Sequence, residues 1–199
     1  MKIVLATRNR KKIVEMERMF RDVDVSFASI DSFPGCPEVV EDGRTFRANA
    51  RKKAVTIARY TGCPALADDS GLVVDALGGA PGVYSARYAG EGATDHENLL
   101  KLLRDLRGVP DGERSARFVC CICFALPDGS FRTFTSSAKG AIGRHARGAN
   151  GFGYDPVFFP DGHDRTFAEM EAPEKDRLSH RGKAMRKFHD FLKKRANQT

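Results

Sequence analysis

The sequence has no tryptophan, only four tyrosines and only five cysteines in 199 residues. Nowhere does it hold the roughly 20 consecutive apolar residues that a membrane-spanning helix needs, which excludes such a helix. No second Cys or His pair completes Cys120-x-x-Cys123 into a zinc-finger pattern. Three of the five cysteines (Cys120, Cys121 and Cys123) crowd the apolar run Phe118–Leu126. An odd count so distributed speaks for small buried hydrophobes in a reducing compartment rather than a disulfide framework. There is no Gly-x-x-x-x-Gly-Lys loop, so a Walker A site is excluded. Repeats, low-complexity tracts and linkers are also missing, and residues 1–199 read as one domain. The apolar start is broken at once by Arg8, Arg10, Lys11 and Lys12, the pattern of a strand rather than a signal peptide. With no targeting or lipidation pattern, a cytoplasmic location is expected.

What is present is positive charge. Lys and Arg number 33 against 26 Asp and Glu, a formal net charge of +7, with a pI near 9.3. Such a surplus suits a polyanionic partner, either nucleotide phosphates or a nucleic acid. Much of it lies in Lys183–Arg195, where a solvated helix face accounts for it equally well.

Periodicity predicts strands over Lys2–Ala6, Val23–Ala28, Pro64–Ala67, Leu72–Ala76 and Asp155–Phe159. It also predicts a hairpin pairing Arg117–Leu126 with Phe131–Ser137. Helices are expected over Lys11–Arg21, from Phe46 to about Tyr60, from the Thr94–Glu97 capping box to about Arg107, and from a Ser179 cap to about Lys194. Thr166–Glu169 is a second capping box, and Ser32–Gly43 and Gly78–Gly82 read as loops. Strands interleaved with helices, plus one hairpin, define a mixed-sheet α/β protein.

Five segments carry the chemistry. Thr7-Arg8-Asn9-Arg10-Lys11-Lys12 joins a strand to a helix start, where N–H groups and Thr, Asn and Lys side chains suit phosphate; an ordinary helix cap reads the same way. In Asp68-Asp69-Ser70-Gly71, alternation along a strand sends one Asp to the reacting side and the other to its support. Two such acids after an apolar strand suit a hard cation such as Mg²⁺, although an acidic turn has the same composition. Glu38–Gly43 adds Glu41 as a further carboxylate, or is a solvated loop. Gly148–Pro156 lets backbone approach a ligand closely, with Phe152 or Tyr154 able to stack on a base or to sit in a core. Lys175–Gly182 brings Lys175, His180 and Arg181 to a helix start as donors to base oxygens, or as a capped surface.

In this order, the segments resemble the inosine triphosphate pyrophosphatase family over nearly the whole chain. The most specific matches are Ala67–Leu72, Leu77–Arg87, Gly151–Pro156 and Ser179–Arg181. The resemblance implies an α/β fold: an elongated, twisted mixed β-sheet flanked by helices, with two lobes around a central cleft, commonly as a homodimer. It implies Mg²⁺-dependent hydrolysis of non-standard purine triphosphates (ITP, dITP, XTP) to the monophosphate and pyrophosphate, with no membrane and no stable nucleic-acid partner. By motif, Asp69 is the general base and a metal ligand, with Asp68 and Glu41 as further metal ligands. Thr7, Asn9, Lys12 and Lys53 hold phosphates, Ser70 touches the substrate, and Arg8 stands beside the phosphates as this chain's own further substrate contact. Phe152, Gly153, Tyr154, Asp155, Lys175, His180 and Arg181 form the nucleobase pocket.

Two positions depart from the family pattern. Ala48 stands where the family usually has Glu, which either weakens a helix start or removes an acid facing the metal. Arg8 replaces a residue that is often small, adding charge beside the phosphates. Rival readings are a septum-inhibition-type nucleotide hydrolase, against which the Ser-His-Arg and Phe-Gly-Tyr-Asp segments argue, and a non-catalytic nucleotide or RNA binder.

Overall fold

Alternating apolar residues at both ends of the chain's strands let a sheet take helices on its faces, and that architecture is realised. The structure, a computed structural model, describes residues 1–20 and 25–196. A mixed six-stranded sheet has the order β2-β1-β3-β4-β5-β6. Its strands are β1 (Lys2–Leu5), β2 (Ser26–Ser29), β3 (Ala65–Val74), β4 (Ser115–Ala125), β5 (Phe131–Ile142) and β6 (Phe158–Pro160). β1 pairs in parallel with both β2 and β3, whereas β5 and β6 run antiparallel. Five helices accompany it among the described residues: α1 (Arg10–Met19), α2 (Phe46–Thr61), α3 (Asp95–Asp105), α4 (Ala172–Leu178) and α5 (His180–Ala196). No helix among the described residues is long and apolar enough to cross a membrane.

The chain forms two compact units. The first takes residues 1–69 and 120–136 and the C-terminal segment from Gly182. Two cores fill it, and alternation along β3 serves both. Leu66 packs with Met16 of α1 and with Ala184, Met185, Phe188 and Leu192 of α5. Ala65 and Ala67 point the other way, to Ala50, Ala54, Ile57 and Ala58 of α2. The second unit, residues 70–119 and 137–181, packs Leu99 and Leu102 of α3 against Leu72, Val74, Phe118, Phe158 and Phe167. The buried Arg114 donates to the carbonyls of Leu106, Ile142 and Gly143, replacing its water with backbone oxygens.

Both expected capping boxes are present, at Thr94–Glu97 and Thr166–Glu169. The hairpin also forms, longer than expected. Gly78, Gly79 and Gly82 adopt positive φ, as a loop that only glycine turns easily would require. Arg21 of the expected first helix, and Val23 and Asp24 of the expected second strand, lie outside the described residues. Two expectations are corrected. Asp68–Gly71 is no turn between two short strands, because β3 runs unbroken from Ala65 to Val74. Asp155–Val157 is a 3₁₀ turn and not strand, since Pro156 has no N–H for a ladder and the Val157 N–H bonds back to Tyr154 O. The last helix begins at His180, directly after Ser179 as expected, and a further helix, α4, ends on that same serine.

Phe188 is fully buried, with ring centroids 5.5 Å from Phe20, 5.3 Å from Phe124 and 5.5 Å from Phe134. Phe188→Ala should lower the unfolding free energy by about 3–5 kcal/mol, read from urea denaturation.

Candidate active site

Because neighbouring strand residues face opposite ways, Asp68 and Asp69 meet different helices. Asp68 lies on the α1 side, where its Oδ1 pairs with the Lys12 ammonium and its Oδ2 accepts from the Cys120 thiol at 3.0 Å. Asp69 lies towards α2, where Lys53 projects from about two turns inside the helix. The Lys53 ammonium donates to Glu41 Oε1 at 2.8 Å and to the Asp68 carbonyl at 2.7 Å. The Asp69 carboxyl is within hydrogen-bond reach of Glu41. Three acids and two lysines thus gather in the first unit, with Asp68 and Asp69 only 1% and 5% exposed.

The charges do not balance evenly. Burial, supported by the neighbouring carboxylates of Glu41 and Asp68, pushes Asp69 up to about 7 against the opposing pull of Lys53 and Lys12. Glu41 goes the other way: burial raises it, but the paired Lys53 outweighs this and holds it below the usual carboxylate range. A carboxyl near 7 is poised to take a proton from water at neutral pH.

Beside this cluster is a cavity of about 210 Å³ lined by Thr7, Arg8, Glu41 and Lys53, with Ile30 and Val39 as apolar walls. Asn9 is the N-cap of α1: its Oδ1 accepts from the Lys11 and Lys12 N–H groups, and Thr7 Oγ1 accepts from the Asn9 N–H. Those two first-turn N–H groups are therefore engaged within the cap. An anion in the cavity would meet side chains, with Arg8 and Lys53 as its cations. Arg8 is exposed and pairs with Asp31 at 3.3 Å.

The remaining expected residues belong to the second unit, which begins at Ser70, the residue after Asp69 on β3. Ser70 Oγ accepts from Arg181 at 2.8 Å. Asp155 Oδ2 accepts from the Lys175 ammonium at 2.7 Å and from the Phe152 N–H at 2.8 Å, which ties the glycine loop to α4. The Lys175 and Arg181 cations lie 5.0 and 5.5 Å from the Phe152 ring centre. His180 stacks on Phe118, with centroids 4.6 Å apart and planes 8° from parallel. Lys175, His180 and Arg181 are all 5% exposed or less, which no surface cap would require. Tyr154 joins the core of this unit and donates to Ser85 O at 2.8 Å, so Phe152, half-buried next to Gly153, is the aromatic that the loop presents.

Two contributors were missed from sequence. The sequence reads Cys120 as an inert core residue, and nothing in an apolar run marks one thiol as a carboxylate's partner. Asn49 accepts from the Gly43 N–H at 2.7 Å, pinning the loop that carries Glu41; a buried Asn at N4 of a helix was its only signal. Ala48 is exposed on the first turn of α2, and its N–H donates to the Thr45 cap at 3.1 Å. Its Cβ lies beside Gly43, two residues from Glu41; a Cβ built on that glycine would approach it to 3.0 Å.

Among the described residues, no three His, Cys, Asp or Glu side chains form a ready metal cage. The donor set nevertheless fits a hard cation. Glu41 and Asp69 offer adjacent carboxylate oxygens, the one or two that such an ion takes from protein before phosphate and water complete its shell.

An open mixed sheet whose first unit buries acids and lysines beside a cavity has the parts that a hydrolase of phosphoric anhydrides uses. The chain belongs to the Ham1 family, whose profile matches residues 3–191. It is 50% identical over 192 residues to the dITP/XTP pyrophosphatase of Desulforamulus reducens, covering 96% of each chain. Against the dITP/XTP pyrophosphatase of Geobacter sulfurreducens it is 49% identical over 191 residues, again covering 96% of each. The fold is similar to that of a HAM1 protein from Coxiella burnetii (TM-score 0.90, 43% identity, 98% of this chain and 99% of that one). The Staphylococcus aureus Ham1 protein gives a TM-score of 0.88 at 38% identity, over 98% and 100% of the two chains.

The raised Asp69 sets a pH-dependent cost. Below about pH 4 the carboxyl is neutral in both folded and unfolded states. Between there and about 7 the folded state retains a proton that the unfolded state releases, so this group lowers stability as pH rises. The gap from the ordinary 3.8 to about 7, at about 1.4 kcal/mol per pH unit, makes its ionised form cost up to about 4 kcal/mol above pH 7. Asp69→Asn should therefore raise Tm at pH 8 in EDTA by several degrees, and the gain should shrink towards pH 4.5. Equal shifts at both pH values would contradict the assignment.

Proposed function

We infer that the chain is a nucleoside triphosphate pyrophosphatase that hydrolyses non-standard purine triphosphates (dITP, XTP and ITP) to the monophosphate and pyrophosphate. The observation that carries this reading is the buried Asp69, held near pH 7 between Glu41 and Lys53 beside the Thr7–Lys53 cavity. The names of the relatives, dITP/XTP pyrophosphatase at about half identity over nearly full length, support it.

Lys12, Lys53, Thr7, Asn9 and Arg8 receive the triphosphate and neutralise its oxygens. Asp69 takes a proton from the attacking water, and Glu41 and Asp68 set the field that keeps its carboxyl ready to accept one. Glu41 and Asp69 also hold a divalent cation, Mg²⁺ by the all-oxygen character of the donors, which when bound supplies positive charge to the phosphate oxygens. Asp68 supports from behind, with Lys12 as its partner. On the base, Ser70, Lys175, His180 and Arg181 donate to oxygen and Phe152 stacks, with Gly153, Tyr154 and Asp155 shaping the loop. Donors placed for a 6-oxo group leave a 6-amino group badly paired, which discriminates strongly against adenine. We further propose a cytoplasmic homodimer with no stable nucleic-acid partner.

The test is pyrophosphate release from dITP, XTP, ITP, ATP and GTP with and without Mg²⁺. Turnover of the first three with Mg²⁺, and little of ATP, is expected; triphosphate or RNA binding without any turnover would favour the non-catalytic binder. Asp69→Asn should lower kcat by about 10²–10⁴-fold, the range for a lost general base. Ala48→Glu adds an acid beside the loop of Glu41 and should raise both kcat and apparent Mg²⁺ affinity about tenfold. Unchanged kinetics would confine position 48 to the helix start.

A further inference from the structure

The cysteine run of β4 holds one side chain that the reading above leaves without a task. Cys120 is fully buried, and its thiol reaches a carboxylate oxygen, Asp68 Oδ2, at 3.0 Å. Its neighbours face the other core: Cys121 and Cys123 pack with the alanines of β3 and α2. The Asp68 side chain is 0% exposed, so the partners of its two oxygens decide where it points. Oδ1 holds the ammonium of Lys12, whose side chain is 16% exposed. Oδ2 is held by the thiol.

The Cβ–Cγ torsion of a carboxylate is broad, so each partner on its oxygens helps to set where it points. Any turn about that bond moves the oxygen that Lys12 follows. We propose that Cys120 is a positioning residue: its thiol orients the Asp68 carboxylate, and through it fixes the Lys12 ammonium where the triphosphate binds. The proposal rests on the nucleotide-hydrolase reading of this site. The thiol suits the position because it packs as a small hydrophobe among Leu66, Met16 and Phe188 while still offering one weak donor. Alanine would keep most of the packing and lose the donor. Serine would keep a donor, and a stronger one.

The experiment compares Cys120→Ser and Cys120→Ala with the wild-type chain in three measurements. The first is the Raman S–H band of Cys120, isolated as the wild-type minus Cys120→Ser difference. It should lie below the bands of the other four thiols, and should move up in Asp68→Asn, whose amide oxygen is a weaker acceptor. The second is the Kd for a non-hydrolysable ITP analogue. Cys120→Ala should weaken it about tenfold, as loss of a supporting hydrogen bond behind a ligand-holding group does, and Cys120→Ser should recover most of that loss. The third is Tm, which should fall by similar amounts in both variants, separating orientation from packing. Equal Kd values for the Ala and Ser variants, or an S–H band indifferent to Asp68→Asn, would overturn the proposal. A wild-type chain that binds the analogue but releases no pyrophosphate would defeat the enzyme reading alone, because band position and Kd ratio still decide the role of Cys120.

Discussion

Two successive carboxylates stand inside a sheet, and an ionised group is stable away from water only where other charges or donors replace its hydration. Asp68 and Asp69 set that demand on everything around them. Alternation along β3 separates them to opposite faces, so each needs its own helix and its own lysine. α1 supplies Lys12 to one, and α2 supplies Lys53 to the loop and backbone around the other. The apolar stripes of those helices dock them against the same strand. Core packing and charge compensation are therefore one construction: losing the docking would strand the acids, and losing the lysines would make the docking expensive.

The compensation is complete for Asp68 and incomplete for Asp69. A carboxylate locked by an ammonium and a thiol is a support. One left near pH 7 by burial and by a second carboxylate is a reagent. The chain retains this unfavourable placement where a base or a cation has use for it, and stability is lower there as a result. The second unit mirrors the arrangement with the opposite sign. Lys175, His180 and Arg181 are buried round Phe152, with Asp155 as a carboxylate partner in their midst. Acids that attract cations thus collect in one unit and donors that attract oxygens in the other.

Much of this could be read before any coordinates. The two capping boxes needed only Thr and Glu three residues apart, and both formed. The loop at Gly78–Gly82 needed residues that accept positive φ. Each depends on contacts within a few residues, which local sequence fully encodes. Asp68–Gly71 reads equally as a turn, because Asp, Ser and Gly favour turns locally, while pairing within the sheet and the two distant lysines override that preference. Tyr154 and Phe152 are two residues apart in a glycine loop, and sequence could not say which would be core; the Ser85 carbonyl, 69 positions away, decides it.

What the sequence by itself determined is the set of chemical parts and their local frames: acids after an apolar run, Lys12 at a helix start, Lys53 within a helix, and donors opening the last helix. These follow from side-chain chemistry and short-range periodicity, and the order of the motifs adds the resemblance to a family. Only the tertiary structure decided which acid would carry the strained proton, which thiol would leave the core's business to hold a carboxylate, and which aromatic would face outward. Those outcomes turn on burial and on distant partners, 52 residues apart for Cys120 and Asp68 and 69 for Tyr154 and Ser85. The energy of a charge depends on what surrounds it in space, and not on what precedes it in the chain.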